Sequence, residues 1–308
     1  MTILESWFQQ LLGRNRALGI DISDTSIVYT QLAGKGKSAR LKRFNRIPLS
    51  TGAIENGVIV DKEIVFLELQ KIQKETKETD ACVALPDTIG SFFKITFAKD
   101  PDAISILELI EMKLKELVLF SFEEMILDYK ITRETAYNTE VEVIVLPKTI
   151  GIIYQNILKA AGFTHCTFRT SAQAAHRTVV LDGDADPHMV IVMGDNHATL
   201  SFVKDNQLVG SDHFSLNDSK LEDKMMHHHD TWNTTNGHKQ PLKCITICGP
   251  QDKIESIERL STMLRKKVEH ADVWKNFDYK PNEVPPISFE ESLLYAVALG
   301  LAKEGLEE

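Results

Sequence analysis

The stretch Leu18–Leu32, LGIDISDTSIVYTQL, decides the fold. It reads as two short β-segments, Gly19 to Ile22 and Ser26 to Leu32, bent at Ser23-Asp24-Thr25, because β-branched and apolar residues flank a cluster of small polar ones. Asp21 ends the first segment with a carboxylate, and the hydroxyls of Ser23, Thr25 and Ser26 line the turn with Asp24. Such a set can hold a hydrated Mg²⁺ through the carboxylate while hydroxyls and turn amides face phosphate oxygens. Polar hairpin turns are more often purely structural, so the chemistry has to be argued from the rest of the chain.

Working outward, the 308 residues suggest roughly two domains, and a hydrophobic share of 43% is ample for buried cores. A net charge of −9 argues against nucleic acid as the main partner, because phosphate binding needs a basic face. Cys82, Cys166, Cys244 and Cys248 form no C-x-x-C pair and no disulfide-dense pattern, as expected of reduced thiols in a cytoplasmic protein. No run of 18 apolar residues and no cleavable signal pattern is visible, so neither a membrane span nor export is expected.

Upstream, residues 1–16 carry Ile3, Leu4, Trp7, Phe8, Leu11 and Leu12 on one helical face. This predicts an amphipathic helix, docked on the protein's own body or resting on a membrane surface or partner. Downstream, the basic stretch Lys35 to Arg46 leads into a third strand. A Gly-containing loop, a short VIV strand and a helix with Ile64, Leu67, Leu69 and Ile72 as core residues follow, then the strand DACVAL.

The order GIDIS, AIENGVIVDKEIV, CVALPD resembles the opening of the PilM family, actin-like proteins of the type IV pilus assembly platform. Residues 104–131 add an amphipathic helix and a strand, and EVEVIVLPKTIGIIYQNILKAAGF a strand and a helix, similar to the inserted subdomain of that family and of the division protein FtsA. The family's aromatic and acidic phrase falls on Phe120, Phe122, Glu123, Glu124, Asp128 and Tyr129. The resemblance implies that a PilN N-terminal peptide binds in the cleft beside this subdomain, with Phe120, Phe122 and Tyr129 as contacts; read from the residues alone, these aromatics are core. Met189 to Leu208 repeats the opening hairpin, and such internal duplication is what actin-like proteins show. CITICGPQDKIESIERLSTML resembles the family's adenosine loop, and AVALGLA its C-terminal crossing helix.

The expected fold class is therefore α/β: an actin-like (ribonuclease H-like) duplicated fold with a small inserted α+β subdomain and a reduced second-half subdomain. The expected division is an N-terminal helix over 1–16, a first actin-like half over 17–86 with return of the chain at 160–185, the inserted subdomain over 87–159, and the second half over 186–308, shortened at 217–243.

The nucleotide-bearing phrases depart from the family. Ser23 and Val28 stand where Gly and Lys are usual, and a side chain at Ser23 crowds a phosphate that Gly would admit. Val192 stands where an acid precedes Gly194, and Pro250 replaces a second glycine after Gly249, removing an N–H. The polar stretch 217–243 has room for at most one helix where the family inserts a subdomain over the base. If Mg-ATP is bound, the resemblance assigns it to Asp21 for the metal and to Ser23, Asp24, Thr25, Ser26, Gly194, Asp195, Asn196 and Gly249; the losses imply weak or absent binding and no confident catalytic residue. The implied function is a scaffold at the cytoplasmic face of the inner membrane, binding the tail of a PilN-like membrane protein and serving other platform proteins and the assembly ATPases. Two alternatives stay open: an active Mg-ATP-binding ATPase, and an FtsA-like division protein. His227-His228-His229 with Asp230 and His238 read as a flexible polar loop rather than a metal site, and Cys244 and Cys248 as core residues on one face of a strand.

Overall fold

The computed structural model describes residues 16–98, 105–118, 121–218, 221–232, 241–250, 266–280 and 282–307, with the single positions 234, 252 and 262. The predicted N-terminal helix apart from Arg16, Phe120, His238 and most of the segment following Gly249 lie outside the described residues.

The opening hairpin forms as its pattern dictates. Strand β1 (Arg16–Ile22) pairs antiparallel with β2 (Ser26–Ala33), in register from Arg16↔Ala33 to Ile22↔Ile27. Both strands are almost wholly buried, as continuous apolar runs require in a sheet covered on two faces. Strand β3 (Arg40–Pro48) flanks β2, while β6 (Asp80–Ala84) and β10 (His165–Arg169) run parallel to β1, giving the order β10-β6-β1-β2-β3. The short ribbon of β4 (Ile54–Glu55) and β5 (Val58–Ile59) leads into helix α1 (Lys62–Thr76), whose cap is Asp61: its carboxylate accepts from the amides of Glu63 and Ile64 at 3.0 Å each.

Helix α1 buries Val65, Leu69, Ile72 and Thr76. That stripe runs at helical period through Leu69 and Ile72, and Leu67, expected in the core, stands two residues off it and is 44% exposed. Val65 takes its place.

Between β6 and β10 lies a second small sheet of β7 (Ser91–Ala98), β8 (Met125–Glu134) and β9 (Asn138–Pro147), in the order β7-β9-β8. Helix α2 (Ile106–Leu117), started by a Ser105–Glu108 capping box, lays Ile110 and Leu114 on its core. Helix α3 (Lys148–Ala161) buries Tyr154, Ile157, Leu158 and Ala161 among the first sheet's core residues.

The second lobe repeats the first. Strands β11 (His188–Met193), β12 (His197–Lys204) and β13 (Gln207–Ser215) form the antiparallel half, and β14 (Cys244–Cys248) and β15 (Val268–His270) add parallel, in the order β13-β12-β11-β14-β15. Asp205 and Asn206 join β12 to β13 with φ of 52° and 57°, the left-handed pair of a two-residue hairpin.

The stretch 217–243, with room for at most one helix, contains helix α5 (Leu221–Trp232), and it takes in His227–His229, which were expected in a flexible loop. Met225, His229 and Trp232 recur at helical spacing and are buried, and Trp232 stacks on Phe202 with ring centroids 5.0 Å apart. His228 lies outward and meets Asp212 at 3.1 Å. Among the described residues, no three His, Cys, Asp or Glu side chains are arranged to hold a metal ion.

Two helices lie between the sheets: α4 (Ser171–Val179) on β11, β12 and β13, and α6 (Ala296–Glu307) on β1, β2 and β6. The buried Asn276 carboxamide ties down the end of α4. It donates to the carbonyls of Arg177, Thr178 and Val180 at 3.0, 3.3 and 2.7 Å and accepts from the Asp182 amide at 2.9 Å. Asn276→Ala is expected to cost about 2 kcal/mol in urea unfolding, because carbonyls that the helix cannot satisfy would be left buried. An unchanged unfolding midpoint would show that those carbonyls find other partners.

Candidate functional site

The repeat brings the two polar turns face to face. β1 and β11 end at the same cleft, lined by Asp21, the Ser23–Ser26 turn, Asp87, the Gly194–His197 turn and Gly249, and it holds a cavity of about 130 Å³. That lies below the range of roughly 300–1,000 Å³ common for small-molecule sites.

Asp21 faces this cavity from the end of β1. Burial, and secondarily the charge of Asp87, push its carboxyl up to about 7. In the first turn the hydroxyls are largely spent on the turn itself. Ser23 Oγ donates to the Ser26 carbonyl at 3.0 Å, and the Ser26 amide donates back to Ser23 Oγ at 3.1 Å. Asp24 braces the β4–β5 ribbon, accepting from the amides of Asn56 and Gly57 at 2.8 Å each.

Thr25 reaches across the cleft. Its hydroxyl donates to Asp195 Oδ2, and Arg46 Nη2 donates to the same oxygen at 3.2 Å while its Nε donates to Ser26 Oγ at 3.3 Å. A second crossing runs through Asp87, whose carboxylate accepts from the Ser171 amide at 2.9 Å and from the Thr199 hydroxyl of the other lobe at 2.5 Å. Gly194 donates its amide to the His197 carbonyl at 2.7 Å, and the Asn196 carbonyl accepts from Leu216 at 2.8 Å, so this turn too is closed on its own lobe. Gly249, with φ of 120°, gives its amide to the Leu293 carbonyl at 3.1 Å. A Cβ there would lie 2.2 Å from the Met193 carbonyl oxygen, so only glycine fits.

The structure thus gathers Asp21, Ser23, Asp24, Thr25, Ser26, Gly194, Asp195, Asn196 and Gly249 at one cleft. Sequence reasoning missed Asp87, Thr199 and Arg46. Asp87 stands directly after the Leu-Pro that closes β6, as Asp21 stands at the end of the neighbouring β1, and that parallel was the available signal. Nothing local marks Arg46, which reaches the cleft because β3 pairs it with Val28.

A second cavity, of about 290 Å³, lies between the inserted sheet and the inter-lobe helices. Tyr129 and its neighbours on β8 form one wall; Arg169, Arg177 and Glu304 form another. Arg169 Nε meets Glu304 Oε1 at 2.8 Å, and Arg177 meets the same oxygen at 3.4 Å, which holds the buried Glu304 carboxyl below its ordinary range. Burial raises Asp128 and Glu142 at the same cavity. Phe122 lies elsewhere, packed half-buried against the core of the inserted subdomain.

The family model described as type IV pilus assembly protein PilM matches residues 19–231. The chain is similar in structure to the PilM-PilN type IV pilus biogenesis complex, with a TM-score of 0.77 at 15% identity over 95% of this chain and 99% of that one. It is similar also to a Bacteroides thetaiotaomicron protein with an actin-like ATPase fold and unknown function, with a TM-score of 0.50 at 11% identity, covering 88% of this chain and 94% of that one. A third likeness is to the cytoplasmic domain of EpsL, an inner-membrane component of the Vibrio cholerae type II secretion system, with a TM-score of 0.50 at 11% identity over 92% and 94% of the two chains. No curated protein sequence matches the chain. The solved structures establish the actin-like fold, the family model spans more than two thirds of the sequence, and the chain belongs to the family of the type IV pilus assembly protein PilM.

Proposed function

We propose that the protein is a PilM-type scaffold at the cytoplasmic face of the inner membrane. It holds the tail of a PilN-like membrane protein in the cavity beside the inserted subdomain, and it keeps its own nucleotide cleft shut. The observation that carries this reading is the direct contact between the two cleft turns. The Thr25 hydroxyl and Arg46 Nη2 both donate to Asp195 where a phosphate would need them. With the Gly249 amide also engaged and the cavity small, the residues as arranged do not fit a triphosphate. Titration calorimetry with Mg-ATP is expected to give no binding tighter than the millimolar range, and sub-micromolar affinity would overturn the shut-cleft reading.

The tail reading rests on the likeness to the PilM-PilN complex and on the cavity at Tyr129. Among the described residues no helix is long and apolar enough to cross a membrane. A fluorescent peptide copying the N-terminal tail of a PilN-like protein encoded beside this chain is expected to bind, and Tyr129→Ala to weaken it about tenfold, the loss of one well-packed aromatic contact. Absence of binding to the intact protein would sink the partner assignment.

A further inference from the structure

Cys244, expected in the core, is only half-buried, whereas Cys82, Cys166 and Cys248 are buried. It opens β14 directly opposite His188, its register partner at the start of β11, at the strand ends remote from the cleft. The Cys244 sulfur lies 3.4 Å from His188 Nδ1. On the other side of the ring, His188 Nε2 lies 3.2 Å from Asp184 Oδ2. Asp184 is itself fixed, since Oδ1 accepts the Asp186 amide at 3.0 Å and Oδ2 meets Lys243 Nζ at 3.0 Å. The approach of Asp184 to Nε2 lies off the hydrogen-bond line, and Nε2 makes no hydrogen bond; the charge of the carboxylate still favours the ring proton on Nε2, which leaves the Nδ1 lone pair facing the thiol. A thiol, a base and a carboxylate beside the base stand in series, and a base in contact with the thiol is what activates a sulfur nucleophile.

We propose that Cys244 is a reactive thiol, activated by His188 and Asp184, that forms a mixed disulfide with a low-molecular-weight disulfide. The thiol proton passes to His188 Nδ1 as the sulfur attacks one sulfur of the incoming disulfide. The new S–S bond forms as the old one breaks, and the departing thiolate takes the proton back from Nδ1. The disulfide is the oxidant, and the products are the mixed disulfide and one free thiol. Burial raises the Cys244 thiol and lowers His188, so at neutral pH both partners begin uncharged and the proton transfer must accompany attack. The charged groups facing the pair are Asp184, Lys243, Lys275 and Glu269. This inference does not depend on the scaffold reading.

The test is reaction of the full-length native protein with oxidised glutathione and with Ellman's reagent, followed by intact and peptide mass spectrometry. One equivalent is expected, at Cys244, and none after Cys244→Ser. His188→Gln is expected to slow the reaction at pH 7 by tenfold or more, about the lower end of general-base effects. That deficit should shrink as the pH rises and the thiol ionises without help, which a change of mere accessibility would not produce. If His188→Gln does not fold, Asp184→Asn serves with the same readout. An unmodified Cys244, or variants reacting at the native rate at pH 7, overturn the proposal.

Discussion

Asp21→Asn is expected to stabilise the protein at pH 8 by up to about 4 kcal/mol and to leave it nearly unchanged at pH 4. The ordinary carboxyl of the unfolded chain ionises near 3.8, whereas in the fold burial, and then Asp87, push it up to about 7. Between those values the folded protein binds the extra proton, so stability falls as the pH rises from about 4 to about 7 and stays at the lower level above it. Asparagine removes the ionisation and with it this slope. Urea unfolding of both proteins at pH 4, 6 and 8 measures the effect, and an equal difference at all three values would show that Asp21 ionises freely in the fold. Mg-ATP adds a second readout: if it restores to the native chain at pH 8 what asparagine supplies, the cleft does hold nucleotide.

Gly300→Ala is expected to abolish folding or to cost about 4 kcal/mol or more, because the added methyl meets backbone rather than a movable side chain. A Cβ at Gly300 would stand 1.9 Å from the carbonyl oxygen of Ala174 and 2.6 Å from its carbon, where α6 crosses α4. Gly19 is in the same position against the other face of α6, with the Ala298 carbonyl oxygen 2.1 Å from the would-be Cβ. Gly210, whose Cβ would meet nothing within 4 Å, is the control, and its alanine variant should melt as the native chain does. A Gly300→Ala protein of native melting temperature would mean that the two helices are farther apart than described.

Both predictions start from residues whose neighbours are remote in sequence, and there the legibility of the chain divides. The hairpin 18–32 was readable because alternation, β-branching and turn chemistry are local, and its repeat at 189–208 was readable for the same reason. Phrases such as AVALGLA announced close packing through their small residues, though not which carbonyl Gly300 would meet. The cleft was half legible: Asp21 and the turn residues stand in one short stretch, but Arg46 and Asp87 arrive there through strand order, which no window of sequence displays. Leu67 was misplaced because apolar character was read without the helical phase that Val65, Leu69 and Ile72 set together. The helical state of His227–His229, expected as a loop, was missed for a related reason. His229 fills a core position between Met225 and Trp232, and its imidazole was counted as polar.

The nesting of α4 and α6 also sets how the lobes can move. Each helix is pressed to its own sheet, and the sheets meet through this pair with no side chain between Gly300 and Ala174. Sliding one rod along the other would force backbone over backbone, whereas twisting about the point of contact leaves it undisturbed. The molecule is thus built like two plates on a pin, stiff to shear, with rotation about the pin latched at the rim by the Thr25–Asp195, Arg46–Asp195 and Asp87–Thr199 contacts, so a twist of one plate loads those latches first.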